Sequence, residues 1–302
     1  MRVSTGMIYS QLTDRMSENS AEMAKMQGRL SQGLKYTRPS EAPDDVARVQ
    51  ALESRLKRID TDVASIARTR IGVDAQAKAL ELSSEILDRL KEVAFQAANT
   101  NIGEGRRQVL AEEVDSIKRS LVDLANTRDA EDRYVFAGIN SSQPPYEIKP
   151  DGTVEYRGAA APLRVRVIDV GFEDVTVPGP TIFKPVQDGE ITTPFFDVMN
   201  RLSTALRDDD ESTRIQALSD VEQMVSSSSE SLARIGGTQQ RLRLIEDQAQ
   251  ETKLRAQDTL SSLKDLDYAT ALTELQKQEV LLQASQSMMA RMAQLSLLDV
   301  LR

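Results

Sequence analysis

The residues that could do chemistry in this chain are few. There is no Cys and no His, which removes thiolate nucleophiles, disulfides, Cys/His metal sites and imidazole acid–base catalysis together. Carboxylates remain. The run Asp208-Asp209-Asp210-Glu211 has charge enough for calcium but lacks the spaced ligands and the central glycine of a binding loop, so it reads as a solvated loop between helices. Asp129 and Asp132 form a close pair, yet in a chain with 47 acids such a pair carries no argument for hydrolysis. No phosphate loop or nucleophile motif is present. The reading is a non-enzyme with no metal and no cofactor, and attention passes from reactive groups to surfaces.

Two apolar stripes stand out. At the front, Tyr9, Leu12, Met16, Asn19, Met23, Met26, Leu30 and Gly33 recur at spacings of three and four; at the back, Leu281, Ala284, Met288, Met292, Leu295 and Leu298 form a similar seam. That alternation holds side chains on one face of a helix and suits packing against another helix. A lone helix cannot hide such a stripe, so each needs the other or a neighbouring molecule. The first option is one intramolecular bundle; the second is a subunit built to polymerise. Met288, Met289 and Met292 read as adaptable filler on a helix that repacks against several partners, not as ligands.

The elements that must position these stripes follow from proline. Eight of the ten prolines lie between Pro144 and Pro194, and none falls in 44–143 or 195–302. Proline breaks helix interiors, so two long helical arms flank one insert of a different kind. A composition 40% hydrophobic but 4% aromatic fits slender helices cored by aliphatic residues better than a thick globular core.

In the first arm Val49, Leu52, Leu56, Ile59, Val63, Ile66, Arg70, Val73, Ala77, Leu80, Ser84 and Leu87 hold one heptad frame. Pro43 with Asp44 and Asp45 marks the helix start, and a helix over 44–99 would run roughly 80 Å at about 1.5 Å per residue. Arg70 in the seam reads as a long side chain snorkelling to water. After a turn at 99–105, Leu110, Val114, Ile117, Leu121 and Leu124 form a second helix, an antiparallel neighbour of the first. The second arm carries Val198, Met199, Leu202 and Leu206, then Leu218 to Ile235, then Leu242 to Leu263, with Gly236-Gly237 between the last two stretches; the resumed stripe predicts a kink there, not a break. In the insert, 146–148, 153–157, 163–168 and Val175-Thr176-Val177 predict an antiparallel sheet with a turn at Pro150-Asp151-Gly152. Tyr134 and Phe136 read as an extended segment anchoring that insert.

A net charge of -9 argues against nucleic acid. No apolar run of membrane-spanning length occurs, and the N-terminus lacks the apolar stretch of a secretory signal. The expectation is a cytosolic protein, or one exported without a cleaved leader.

Arg29-Leu30-Ser31-Gln32-Gly33-Leu34-Lys35, followed by Pro39-Ser40-Glu41-Ala42-Pro43-Asp44-Asp45, resembles the N-terminal signature of bacterial flagellins and their relatives. The tail from Asp267-Tyr268-Ala269-Thr270-Ala271-Leu272 to Leu295-Ser296-Leu297-Leu298 resembles the C-terminal one. Glu41-Ala42-Pro43 departs from the family's commoner Ser-Asp-Asp-Pro and alters a local turn. Within the superfamily, Met1-Arg2-Val3-Ser4-Thr5 and Arg133-Tyr134-Val135-Phe136-Ala137-Gly138 resemble the hook-associated protein 3 branch.

This resemblance implies a mainly α fold: an elongated antiparallel helical rod or coiled coil made by the two arms, with a small antiparallel β-rich insert. It implies a terminal coiled-coil domain of 1–40 with 265–302 in an inner tube, a helical rod of 41–140 with 196–264, and an outward insert of 141–195. Assembly would use Tyr9, Leu12, Met16, Met23, Met26 and Leu30 on one helix. On the other it would use Leu281, Ala284, Met288, Met292, Leu295 and Leu298, which an export chaperone would also engage. Implied partners are copies of the chain in a ring, hook-associated protein 1, flagellin and a flagellar export chaperone, at the flagellum, outside the cell, by type III export. The alternatives are flagellin itself or an intracellular helical adaptor.

Overall fold

Helices begin and stop in this chain where proline, glycine and aspartate dictate. The computed structural model describes residues 2–167, 171–174, 176–188 and 191–300, with side chains described at all of these except 2–6, 8, 9, 165–167, 171–174, 188, 191 and 292–300. Helix α1 (Arg2–Gln32) is followed by a 3-10 turn (Pro39–Glu41), α2 (Pro43–Ala97) and α3 (Glu104–Ala125). Then come β1 (Tyr146–Ile148), β2 (Val154–Tyr156), β3 (Arg164–Val167), β4 (Gly171–Asp174), the single turn α4 (Gly179–Ile182), β5 (Val186–Asp188) and β6 (Ile191–Thr193). The chain returns to helix in α5 (Phe195–Asp208), α6 (Glu211–Lys264) and α7 (Tyr268–Val300). The fold is mainly α with a small antiparallel β insert, as the sequence predicts. Contacts group the chain into two units: Met1–Arg58 with Thr252–Arg302, and Ile59–Glu251.

Within 59–251 the heptad frame of α2 becomes core. Ile59, Ile66, Val73, Ala77, Leu80 and Leu87 are buried, as are Leu110, Val114, Ile117 and Leu121 of α3 and Val221, Ile235 and Leu242 of α6. Arg89 pairs with Glu113, and Arg106 bonds Gln96, so numbers rise on α2 as they fall on α3: the two run antiparallel. Lys91 with Glu222, Asp74 with Gln239 and Arg70 with Glu246 make the same statement for α2 and α6. Helix α5 packs along α3, and the Arg207 guanidinium meets Asp115 at 2.7 Å.

Gly236-Gly237 does not break α6, which is continuous from Glu211 to Lys264. Two interior glycines cost about 1 kcal/mol each against alanine. The flanking Ile235 and Leu242, both buried, contribute roughly 1.5–3 kcal/mol apiece, so the helix carries through.

The insert differs from the expected single sheet. Among the described residues its strands form three separate antiparallel ribbons, β1–β2, β3–β4 and β5–β6. The Pro150-Asp151-Gly152 turn joins β1 to β2 as predicted, with Gly152 at φ 85° where a side chain would be strained. Thr176 and Val177 lie outside any strand, because their bonding groups are taken elsewhere. Val177 exchanges hydrogen bonds with the Gln76 side chain of α2, and the Thr176 hydroxyl accepts from the Leu163 N–H at 2.8 Å. The ribbon β5–β6 was not legible, since three residues are too few to show alternation.

What fixes the β1–β2 ribbon to the helices is aromatic. Phe136, Tyr146, Tyr156, Phe183, Phe195 and Phe196 form one cluster with ring centroids 5.1–5.8 Å apart, mostly edge to face, the geometry that aromatic quadrupoles favour. Phe136, Tyr146, Phe183, Phe195 and Phe196 belong to the same core as the α2, α3 and α6 residues. Burial pushes the Tyr146 phenol well above its ordinary pKa.

Candidate assembly interface

In the unit made of 1–58 and 252–302, α1 and α7 pack along one another. Leu12, Met16, Asn19, Met23, Met26, Leu30 and Gly33 are all half-buried, whereas the α1 positions between them are mostly exposed. The front stripe is therefore the face of α1 that meets α7. On α7 the covered face is Ala271, Leu275, Gln278, Leu282, Ser285 and Met289, buried or half-buried. Leu281, Ala284 and Met288 precede the last three of these by one position and so stand roughly 100° round the helix. All three are exposed, Leu281 by 44% and Met288 by 60%. The side chains of Tyr9, Met292, Leu295 and Leu298 lie outside the described residues.

Two helices cover each other only in part. Ala256 and Ala271 are the only residues of this unit, among those described, that reach the buried core. The rest of its apolar surface stays half-covered or open. One buried acceptor in the seam, Gln278 Oε1, has no hydrogen-bond partner among the described residues.

The helix breaks on either side are stapled together, a feature sequence reading missed. Gly33 turns at φ 69°, and the chain beyond it pairs with the segment between α6 and α7 as an antiparallel bridge, Leu34 opposite Asp265. The Lys35 N–H donates to the Lys264 carbonyl at 2.9 Å and the Leu266 N–H to the Gly33 carbonyl at 2.9 Å. The Lys35 ammonium also donates to the Ser262 carbonyl. Around this staple, Arg29 meets Glu41 at 3.3 Å and Lys264 meets Glu53 at 3.0 Å. The Tyr36 hydroxyl donates to Asp45, a bond that raises the phenol pKa. Asp267 opens α7: its carboxylate accepts from the Thr270 hydroxyl and from the N–H groups of Thr270 and Ala269, which holds its pKa below the usual range. Of the staple's two partners, Leu34 falls inside the first stretch that carries the family resemblance, while Asp265 stands two residues before the second.

The remaining singled-out residues have structural work. In the acidic run, Asp209 takes a left-handed φ of 59° and pairs with Arg107 and the buried Arg214. Asp210 caps α6 by accepting from Thr213 and Ser212, which lowers its pKa to about 2. Asp129 accepts from the backbone of Glu131 and Arg133 and from the Arg133 guanidinium; Asp132 pairs with Arg128 at 2.6 Å. Arg70 does not simply reach water: it meets Glu246 at 2.7 Å. Tyr134 and Phe136 are buried, the first under the Arg128 guanidinium.

Comparison with known proteins places this arrangement. The family described as the bacterial flagellin N-terminal helical region matches residues 3–141, and the bacterial flagellin C-terminal helical region matches 218–301. Together they span about three quarters of the 302 residues. The chain belongs to the bacterial flagellin family.

Within that family it is similar from end to end to flagellar hook-associated protein 3 of Salmonella typhimurium, 23% identical with 100% of both chains covered. The flagellin of Listeria monocytogenes is 23% identical over 96% of this chain and 95% of that one. The fold is shared with hook-associated protein-3 from Legionella pneumophila (TM-score 0.65, 15% identical, 71% of this chain and 98% of that chain). FlgL of Xanthomonas campestris has it too (TM-score 0.60, 19% identical, 70% and 99%).

Proposed function

We propose that the chain is a structural subunit of the bacterial flagellum of the hook-associated protein 3 type. It sits at the hook–filament junction as a ring of copies that connects hook-associated protein 1 to flagellin. End-to-end likeness to hook-associated protein 3 supports the type. The observation that carries the assembly reading is the imbalance between the two units. Residues 59–251 hold a closed core, while the α1–α7 unit has apolar stripes and, among the described residues, almost no core of its own. A helix pair in that state gains most by packing against further helices.

In this reading 1–40 with 265–302 line the inner tube, 41–140 with 196–264 form the rod around it, and 141–195 face outward. The stripe of α1 stays on α7, and Leu281, Ala284 and Met288 supply the contact with neighbouring copies. Before assembly the same α7 surface is what a flagellar export chaperone covers on the way out of the cell. Among the described residues no helix is long and apolar enough to cross a membrane.

Deleting the gene tests the reading. The expected outcome is hooks without filaments and flagellin shed into the medium, restored by the intact gene. Normal filaments on the deletion strain would overturn it; growth of long filaments from the purified chain alone would make it a flagellin.

A further inference from the structure

Sulfur is unevenly spread in this chain. With no Cys, all of it is thioether, and eight of the ten methionines fall in 1–58 or 252–302. The other two, Met199 and Met224, are fully buried in the closed core. In the terminal unit Met16, Met23, Met26 and Met289 are half-buried. Met7 and Met288 stand open, 64% and 60% exposed. Any aliphatic side chain would supply apolar bulk at these places. Methionine adds pliability and one reaction that leucine lacks, conversion of the thioether into a polar sulfoxide.

Of the two open thioethers, Met288 is the one placed where polarity matters. It continues the exposed apolar face of α7 that carries Leu281 and Ala284 at helical spacing. In the monomer a sulfoxide there is solvated, and Arg291, exposed and three residues on, can donate to its oxygen from the same face. Covered by a neighbouring helix, the same oxygen loses its water, and burying an unpaired polar group is costly. Oxidation of Met288 therefore spares the folded monomer and penalises only its covered state.

We propose that Met288 is an oxidation site that governs entry of the unassembled chain into the flagellum, with a peroxide as the oxidant. The sulfur lone pair attacks one peroxide oxygen; the S–O bond forms as the O–O bond breaks. The sulfur is oxidised by two electrons, and hydrogen peroxide is reduced to water, the proton of the attacked oxygen passing to the departing hydroxide. A methionine sulfoxide reductase reverses the change at the expense of a thiol pair. Once assembled, the thioether is covered and beyond reach. This deepens the assembly reading above and rests on it, because that reading puts Met288 against a neighbouring copy.

The test treats the purified full-length chain with graded hydrogen peroxide and maps added oxygen by peptide mass. Met7 and Met288 should oxidise first, Met199 and Met224 last. At the dose that converts Met288, the monomer's melting curve should hold. Recovery of the added chain on hook-bearing cells of the deletion strain should fall about tenfold or more, and reductase treatment should restore it. Met288→Leu should keep its recovery through the same dose, whereas Met7→Leu should stay sensitive. Recovery of the Met288 sulfoxide at the untreated level overturns the proposal and leaves the junction reading intact. Equal sensitivity of Met288→Leu, or a collapsed melting curve at that dose, overturns it too. Failure of the untreated chain to appear on hooks removes both the proposal and the reading beneath it.

Discussion

Gly33 and Tyr268 meet at the staple between the helix breaks: a Cβ built on Gly33 would stand 2.7 Å from the Tyr268 hydroxyl oxygen, on a backbone at φ 69°. Two costs overlap at this point. The left-handed conformation penalises any side chain by about 1–2 kcal/mol, and the phenol must swing away. Gly33→Ala should therefore lower the thermal stability of the α1–α7 unit and leave the aromatic core of 59–251 intact. Removing the phenol with Tyr268→Ala in the same chain should recover only part of the loss. Full recovery would mean that crowding, not backbone conformation, sets the requirement for glycine.

Met288→Asp separates assembly from folding. The side chain is 60% exposed, and exposed substitutions usually move stability by no more than about 0.5 kcal/mol. The monomer's melting curve should barely change while its incorporation into flagella is lost. Leu282→Asp, on the half-buried face toward α1, should by contrast loosen the helix pair in the monomer itself. Normal incorporation of Met288→Asp would remove the proposed stripe from the interface.

Amide exchange should rank the two units. Local opening is easiest where few apolar groups are buried, so α1 and α7 should exchange well before the buried stretches of α2 and α3, and should slow on assembly. Equal protection of all four helices in the monomer would contradict the incomplete-seam argument.

Gln76 is fully buried and ties two distant segments to α2: its amide donates to the carbonyls of Val135 and Val177, and its oxygen accepts from the Val177 N–H. Gln76→Leu keeps the bulk but orphans these groups, at about 1–3 kcal/mol for each one left unsatisfied. Denaturant titration should show a fall in stability of at least that order for 59–251.

Acid should act on helix starts first. Asp210 and Asp267 have pKa values lowered by hydrogen bonds from the following threonine, Asp210 to about 2. A depressed carboxylate pKa means the unfolded chain binds more protons, so its stabilisation is present above the unfolded value, about 3.9, and is lost as pH falls toward the folded one. Helix content at the start of α6, followed by the Thr213 amide resonance, should decline between about pH 4 and pH 2, and that at the start of α7, followed by Thr270, should decline as pH falls below about 4. With no His in the chain, it should stay flat from about pH 5 to 8.

The helices were legible because their heptad frame is long. Val73, Leu80 and Leu87 repeat a pattern that outlasts single exceptions such as Arg70. The seam of α7 was harder, since Leu281 and Leu282, and Met288 and Met289, put apolar residues on two adjacent faces. Periodicity cannot say which face α1 takes. The staple at Leu34 and Asp265 depends on backbone groups that no side-chain pattern announces, and a cavity beside Arg68 is assembled from segments scattered between Ser65 and Thr176. Residues far apart in the chain leave no local rhythm to read.

The aromatic cluster bears on how freely the β insert can be edited. Phe183, supplied by the insert, touches Phe136 before it and Phe195 and Phe196 after it. Excising the insert would therefore strip the lid from a greasy socket and leave a truncated molecule prone to clump. Surgery on this protein is better confined to trimming loops than to removing the whole appendage.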